Sequence, residues 1–172
     1  MQYRIFSGPE PTAAALATLS SGTVIKTLQQ IKCGASKPLR VLGWGYSFDQ
    51  SAAATPVKIE LIEVDVAATV TAYVAGDLMP LDGEAIYVKA AGGDPTTNLI
   101  PVGTTSSGYN ATAEGTVTDS RLFDSHQAPV TSPFSIYRAL GREFVMQLSK
   151  FLRVRITSGV AYNLYTYVDI EA

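Results

Sequence analysis

One stretch of the chain, residues 38–64, constrains the fold more than any other part of the sequence. Its first half alternates large and small side chains, so one face of a strand carries Leu42, Trp44, Tyr46 and Phe48. Its second half alternates apolar and charged residues, and the apolar face consists of Val57, Ile59 and Leu61. A loop of small residues, 49–56, separates the two halves. The pattern predicts two strands that each bury one face in a core.

Further segments have the length and composition of strands and are bounded by turn residues. They are Gly22–Cys33, Gly115–Phe123, Phe134–Leu140, Phe144–Thr157 and Ala161–Ile170, with shorter candidates at Asp65–Ala75 and Ala85–Lys89. Roughly eight strands, long connections and few helices predict an all-β fold, an antiparallel β-sandwich of jelly-roll type with long loops. A β-barrel is the alternative.

At 172 residues the chain is long enough for one domain with a core of its own. We assign residues 19–172 to a single β-sandwich domain and residues 1–18 to an extended N-terminal arm that packs on a partner chain. Deleting the arm is then expected to weaken attachment without unfolding the domain. The alternatives for this segment are an edge strand at Gln2–Phe6 and a short helix at Thr12–Leu19.

The last two strands predict a hairpin, and its register follows from their apolar faces. Paired residues share a face, and a three-residue loop at 158–160 pairs apolar Val154 with apolar Leu164. The opposite face then carries an aromatic and basic strip that consists of Phe151, Arg153, Tyr165 and Tyr167. Exposed aromatic residues beside an arginine are typical of contact surfaces.

We therefore predict partner contacts on that strip and on the N-terminal arm. The residues concerned are Tyr3, Arg4, Phe6, Phe151, Arg153, Tyr165 and Tyr167. The alternative is that a loop or the arm covers the strip. Residues 90–115 form a long irregular segment rich in glycine, which we expect to cover or reach a neighbour. Trp44 and Tyr46 are assigned to the core.

Charge and apolar patterning exclude several classes of partner. The 13 Lys and Arg and the 15 Asp and Glu are dispersed and give a net charge of −2. Nucleic acid needs a basic patch, so direct binding of nucleic acid is not expected. No apolar run approaches the roughly 18 residues of a membrane span, and residues 1–11 lack the apolar core of a signal peptide. The single cysteine, Cys33, is expected to be a buried small apolar residue of a protein made in a reducing compartment.

The sequence predicts no catalytic residue and no cofactor. Residues 124–126 (Asp-Ser-His) have the residue types of a hydrolytic triad, but adjacent loop positions do not converge, and we expect a solvated loop histidine. The chain lacks the His and Cys set of a transition-metal site. Gly43 and Gly45 lie within a strand, where we expect them to make room for a close neighbour in the sheet. Acidic loop oxygens without the spacing of a calcium loop occur at Asp77, Asp82, Glu84 and Asp94.

Several runs resemble a family of small virion proteins of tailed phages, the capsid decoration or cement proteins of double-stranded DNA phages. The runs are Leu42–Asp49 (LGWGYSFD), Val57–Glu63 (VKIELIE), Ala67–Thr71 (AATVT), Gly108–Val117 (GYNATAEGTV) and Lys150–Arg155 (KFLRVR). Together they extend over about residues 20–170. These motifs are structural and carry no active site.

The resemblance implies a β-sandwich that assembles as a homotrimer on the capsid surface of the virion, after synthesis in the host cytoplasm. Its partner would be the major capsid protein, which it would bind after shell expansion to resist the internal pressure of the DNA. The alternative function is a tail-associated or carbohydrate-binding jelly-roll module that stacks Trp44, Tyr46, Tyr165 or Tyr167 on sugar. Neither function is that of an enzyme.

Overall fold

Two antiparallel β-sheets packed face to face form the fold in a computed structural model that describes residues 1–81 and 99–172. The strands are β1 (Gln2–Phe6), β2 (Leu19–Ser20), β3 (Lys26–Lys32), β4 (Arg40–Phe48), β5 (Val57–Val64), β6 (Thr69–Ala72), β7 (Leu78–Pro80), β8 (Gly108–Ala113), β9 (Ser120–Ala128), β10 (Phe134–Tyr137), β11 (Phe144–Val145), β12 (Phe151–Thr157) and β13 (Asn163–Glu171). A short 3₁₀ helix covers Ala75–Asp77. The predicted all-β sandwich is confirmed, and its jelly-roll topology stays a prediction.

The first sheet has the order β10-β4-β13-β1-β7, with β11 also paired to β4 and β2 to β13. The second sheet has the order β6-β8-β3-β12-β5-β9. Among residues 1–81 and 99–172, no helix is long and apolar enough to cross a membrane.

The core lies between the two sheets and contains most of the predicted apolar faces. Val57, Ile59 and Leu61 of β5 are buried there, and so are Trp44 and Tyr46 of β4. The prediction for β4 is wrong at one position, because a bulge leaves Leu42 without a partner between the pairs Val41–Ile170 and Gly43–Asp169. The extra residue turns Val41 into the core in place of Leu42.

The predicted C-terminal hairpin is wrong, because its two strands belong to different sheets. Strand β12 pairs with β3 and β5, whereas β13 pairs with β1, β4 and β2. The apolar faces were correctly identified, since Val154 and Leu164 are both fully buried in the same core. Two such faces are buried equally well side by side in one sheet or opposite each other across a sandwich. The predicted three-residue loop is thus a connection between sheets.

The prediction of an extended N-terminal arm is wrong for residues 2–6. These residues form strand β1 in the interior of the first sheet. Strand β1 pairs with β13 on one side and β7 on the other. Tyr3 and Ile5 are completely buried in the core. The ends of the chain meet beside this strand, where the amino group of Met1 donates to the carbonyl of Ala172 at 3.1 Å. Residues 12–18 have neither helix nor strand, so the alternative of a short helix is wrong as well.

The remaining strand predictions are partly confirmed. Strands β3 and β10 lie within their predicted segments, but β8 lies within residues 90–115, which were predicted to be irregular. Strand β9 begins at Ser120 and continues through His126, where a loop was predicted. The candidate strand Ala85–Lys89 and residues 90–98 lie outside the described residues.

The position of β1 predicts a large loss of stability when its core residues are truncated. We expect Ile5→Ala to lower the free energy of unfolding by about 2–5 kcal/mol, because it leaves a cavity between the sheets. The exposed neighbour Gln2 provides a matched control, and Gln2→Ala should change this free energy by less than about 0.5 kcal/mol. Urea unfolding followed by circular dichroism measures both. Equal and small effects would show that residues 2–6 do not pack in the core.

Candidate functional site

Four of the seven predicted contact residues lie together on the outer face of the first sheet. Side chains alternate along a strand, so burial of Tyr3 and Ile5 turns Arg4 and Phe6 of β1 outward, and Tyr165 and Tyr167 of β13 point the same way. Tyr137 of β10, which was not predicted, joins them. We call this surface the tyrosine face and define it by Arg4, Phe6, Tyr137, Tyr165 and Tyr167.

Two glycines of β4 allow the tyrosine rings to lie close against the sheet. A Cβ atom on Gly45 would lie 2.6 Å from the Tyr167 ring and 2.5 Å from the carbonyl oxygen of Phe134. A Cβ atom on Gly43 would lie 2.8 Å from the Tyr137 ring. Each ring therefore occupies the space above a glycine, as predicted for these two positions. The rings in turn cover strand positions that have no side chain of their own.

Hydrogen bonds between side chains of three strands join the tyrosine face. Arg4 donates to both carboxylate oxygens of Asp169 at 2.8 Å and also to the Tyr137 hydroxyl. Its guanidinium lies 4.7 Å from the centre of the Tyr167 ring, and the Tyr167 hydroxyl bonds to the hydroxyl of Ser135. Side-chain bonds thus join β1, β13 and β10 on the outer side of the sheet and pass over β4, which lies between β13 and β10.

The charged groups of this face form an ion pair in which the Asp169 carboxylate is buried and the Arg4 guanidinium is partly exposed. The hydrogen bonds from Arg4 to Asp169 raise the pKa of Arg4, so the guanidinium stays charged at any physiological pH. Partial burial and the neighbouring Asp169 raise the pKa of Tyr137 to about 12, so its hydroxyl stays protonated. Asp169 itself is 1% exposed. The face thus presents neutral hydroxyls, aromatic rings and one compensated cation, a combination suited to binding a protein surface.

The other three predicted contact residues are buried and do not belong to this face. Tyr3 points into the core, and Phe151 and Arg153 lie on the outer side of the second sheet, 7% and 1% exposed. Loop residues cover them, since Phe151 packs with Ala67 and Val117. The alternative that a loop covers the strip is therefore confirmed for Phe151 and Arg153. The prediction that Arg153 lies beside Tyr165 is wrong, because the two residues belong to different sheets.

Arg153 holds together the loops that cover the second sheet. Its guanidinium donates to the side-chain oxygen of Gln30 at 3.0 Å, to the carbonyl of Glu114 at 3.0 Å and to the carbonyl of Val66. The carboxylate of Glu114 lies 3.3 Å away and also accepts from the hydroxyl of Thr27 at 2.6 Å. Burial lowers the pKa of Arg153, and the nearby Glu114 opposes that shift. Arg153 therefore stabilises the fold of its own chain and is too buried to contact a partner.

A second polar cluster surrounds His126, which lies on strand β9 and not in a loop. Its ring packs 4.1 Å from Phe134 and 5.6 Å from Trp44, centre to centre. Asp124 accepts from the Trp44 indole at 3.2 Å and from Arg138 at 2.9 Å. Ser125 lies between Asp124 and His126 on the strand, so its side chain points to the opposite face. The three residues therefore do not form a hydrolytic triad.

The part of the chain that the structure describes contains no group of three or more His, Cys, Asp or Glu placed to hold a metal ion. Asp77 instead accepts hydrogen bonds from the backbone of Val74 and Glu10 at 2.9 and 2.8 Å. The other acidic residues considered for calcium, Asp82, Glu84 and Asp94, lie outside the described residues. Cys33 is fully buried, as predicted, and burial raises the pKa of its thiol.

Comparison with protein-family models gives no match, and neither curated proteins nor solved structures include one that matches this chain.

The close approach at Gly45 predicts that a single methyl group disturbs the tyrosine face. Gly45→Ala should lower the free energy of unfolding by about 1–3 kcal/mol, because the Phe134 carbonyl is backbone and cannot move aside. Gly159→Ala is the matched control, since nothing lies within 4 Å of a Cβ atom there. Urea unfolding of both variants tests this. Equal stability of the two would show that β4 and β10 do not approach so closely.

Because Arg153 makes buried hydrogen bonds, we expect its substitution to destabilise the fold of the isolated protein and not only to weaken assembly. Arg153→Ala should cost about 3–5 kcal/mol, because Glu114 and two carbonyl groups lose their buried partner. A residue that only contacted a partner, as predicted for Arg153, would instead leave the stability of the isolated protein unchanged. Arg142→Ala, at an exposed arginine, is the control. Both are measured on the isolated protein by chemical denaturation, and an unchanged Arg153→Ala protein would contradict the assignment.

The loop over Phe151 is also held by Asp65, and this predicts a pH dependence. The Thr118 hydroxyl and the N–H groups of Asp119 and Thr118 donate to its carboxylate and lower the pKa of Asp65 to about 2. A lowered pKa stabilises the folded state fully above the unfolded value of about 4, and that contribution is lost as pH falls towards 2.

Pepsin, which is active in this pH range, should therefore cleave the native protein near residues 114–119 faster at pH 2 than at pH 4. In Asp65→Asn the difference should shrink, because the ionisable group is gone. Asp49→Asn, at an exposed loop residue, corrects for the pH dependence of pepsin itself. Identical pH profiles for the wild type and Asp65→Asn would refute a role for Asp65.

Proposed function

We propose that this protein is a structural component of a phage virion, a capsid decoration or cement protein that binds the outside of the shell as a homotrimer. The tyrosine face is its contact surface for the major capsid protein. The observation that carries the proposal is that Arg4, Tyr137 and Tyr167 are joined into one rigid, polar and aromatic surface. The resemblance of several sequence runs to decoration proteins is the reason for proposing the major capsid protein as the partner.

A rigid contact surface suits a protein that must hold a shell together. Tyrosine and arginine side chains contribute much of the binding energy in protein interfaces. Here their rotamers are already fixed by hydrogen bonds and by the two glycines, so little side-chain freedom is lost on binding. Each contact can still be weak, because a trimer bound to a repeating shell attaches at several points at once.

Tyr165 gives the most direct test, because its ring lies outside the hydrogen bonds that join Arg4, Tyr137 and Tyr167. We expect Tyr165→Ala to fold normally and to weaken co-sedimentation with expanded shells of the encoding phage at least tenfold, or about 1.4 kcal/mol. Leu122→Ala is the control, since Leu122 is 55% exposed but lies on the edge strand β9 of the second sheet. Light scattering should give about 55 kDa, three times the chain mass of 18.3 kDa.

Two outcomes would overturn the proposal. A monomer that never co-sediments with shells would exclude a decoration protein. Equal binding by Tyr165→Ala, Leu122→Ala and the wild type would exclude the tyrosine face as the contact surface.

A carbohydrate-binding module is the second candidate, and one observation favours it. Tyr137 is 57% exposed and Tyr165 is half-buried, so both rings can stack on a sugar. Trp44 and Tyr46, which were also considered for stacking, are excluded because both are buried. A glycan array separates the candidates: binding that is lost in Tyr165→Ala supports the sugar-binding module, and silence supports the decoration protein.

A further inference from the structure

Four cations without an ion-pair partner lie at one end of the sandwich. Seven lysines and arginines of the described ranges pair with carboxylates, and Lys26 donates to the carbonyl of Ser20 at 2.9 Å. Within residues 1–81 and 99–172, the cations that make neither kind of bond are Lys32, Lys37, Arg40 and Arg142. We call the surface that these four residues form the basic end.

The connection between β3 and β4 carries three of these cations. Lys32 is the last residue of β3, Arg40 is the first residue of β4, and Lys37 lies between them. Lys37 and Arg40 are exposed, and the ammonium group of Lys32 lies 5.6 Å from the centre of the Phe151 ring. Burial of Val41 in the core turns Arg40 to the outer face of the first sheet. The three cations therefore reach solvent at one end of the sandwich.

The turn before β11 brings Arg142 to the same end. Phe144 of β11 pairs with Val41 of β4, next to Arg40, and the exposed Arg142 precedes Phe144 by two residues. The Arg142 N–H donates to the carbonyl of Ala139 at 2.9 Å, which closes the turn. Cations that are dispersed along the sequence are thus gathered on one surface by the fold.

A cleft of about 320 Å³ opens at the basic end between Lys37 and Arg40. Pro38 and Glu171 complete its lining. Arg40 and Glu171 are paired residues of neighbouring strands, yet no ion pair joins their side chains. Two cations and one carboxylate thus line the cleft, and its net charge is positive.

Other carboxylates near this end already have partners. The backbone N–H groups of Glu143 and Gly141 donate to the Glu143 carboxylate and lower its pKa, and Arg40 contributes less to that shift. Asp119 lies 3.8 Å from Lys150, and Glu63 accepts hydrogen bonds from Arg121 and from the Gln147 N–H. The positive charge around the cleft is therefore available to a partner.

We propose that the basic end binds an acidic segment of a partner protein, with an Asp or Glu side chain of that segment in the cleft between Lys37 and Arg40. A cation without a partner can form a charge-assisted hydrogen bond without first losing one. A nucleic acid is disfavoured, because DNA-binding proteins commonly engage about six to ten phosphates, more than four cations can. This inference goes beyond the proposed function, because the cleft lies at the end of the sandwich and not on the tyrosine face.

Binding of a fluorescent decaglutamate peptide, followed by fluorescence anisotropy, tests the proposal. The peptide should bind at an ionic strength of about 0.02 M and more weakly at about 0.15 M, where exposed charges are screened. The double variant Lys37→Gln/Arg40→Gln should raise the dissociation constant at least tenfold. Both substituted residues are exposed, so the variant is expected to keep the wild-type circular dichroism spectrum.

The matched control is Lys26→Gln/Lys58→Gln, which removes the same charge at the opposite end of the sandwich. Lys26 is the first residue of β3, whereas Lys32 is the last, and Lys58 pairs with Thr157 at the far end of β12. This control should change the dissociation constant much less than the Lys37→Gln/Arg40→Gln variant does.

Three outcomes would overturn the proposal. Equal weakening by the two double variants would show that the peptide responds only to net charge. Absence of binding at the lower ionic strength would show that the basic end does not bind carboxylates. Tighter binding of an oligothymidylate of the same charge, lost in Lys37→Gln/Arg40→Gln, would identify a nucleic-acid surface instead.

The result is distinguishable from failure of the proposed function, because the peptide assay uses the isolated protein without shells. Tyr165→Ala, which should weaken shell binding, is expected to bind decaglutamate as the wild type does. A protein that binds shells but not decaglutamate refutes only the role of the basic end.

Discussion

The pairing of β13 with β1 and β4 is the interaction on which the rest of the first sheet depends. Strand β13 stands between these two strands, and its eight pairs with β4 and five pairs with β1 hold the sheet together. Its inner side chains, among them Leu164 and Val168, contribute to the core, and its outer ones, Tyr165 and Tyr167, to the tyrosine face. One strand thus determines both how the sandwich is filled and which surface it presents.

The faces of the strands could be predicted from the sequence, whereas their neighbours could not. Alternation showed that Val154 and Leu164 are core residues, and both are. The same alternation cannot distinguish pairing within a sheet from packing between sheets, because both arrangements bury the same side chains. The bulge at Leu42 could not be predicted from the alternation within β4 either, because it depends on how β4 pairs with β13.

For the candidate site too, the outward orientation of side chains could be predicted from the sequence, but their neighbours could not. Tyr165 and Tyr167 were assigned to an outer surface for the right reason, and Arg4 and Phe6 joined them although their strand was taken for an arm. Arg153 was misplaced because nothing in its local sequence shows that residues 66 and 114 accept its hydrogen bonds. Tyr137 was missed, although two glycines spaced by one residue on a strand signal that large side chains from neighbouring strands lie above them.

The antiparallel neighbours β1 and β13 have a consequence for how the chain acquires its structure during synthesis. The ion pair between Arg4 and Asp169 joins residues 165 positions apart. Strand β1 is therefore synthesised long before β13 and has no partner on that side until residues 167–171 have been translated. Contacts so distant in sequence slow folding. Until then Tyr3 and Ile5 lack the sheet that buries them, and the first sheet is completed only once β13 has emerged.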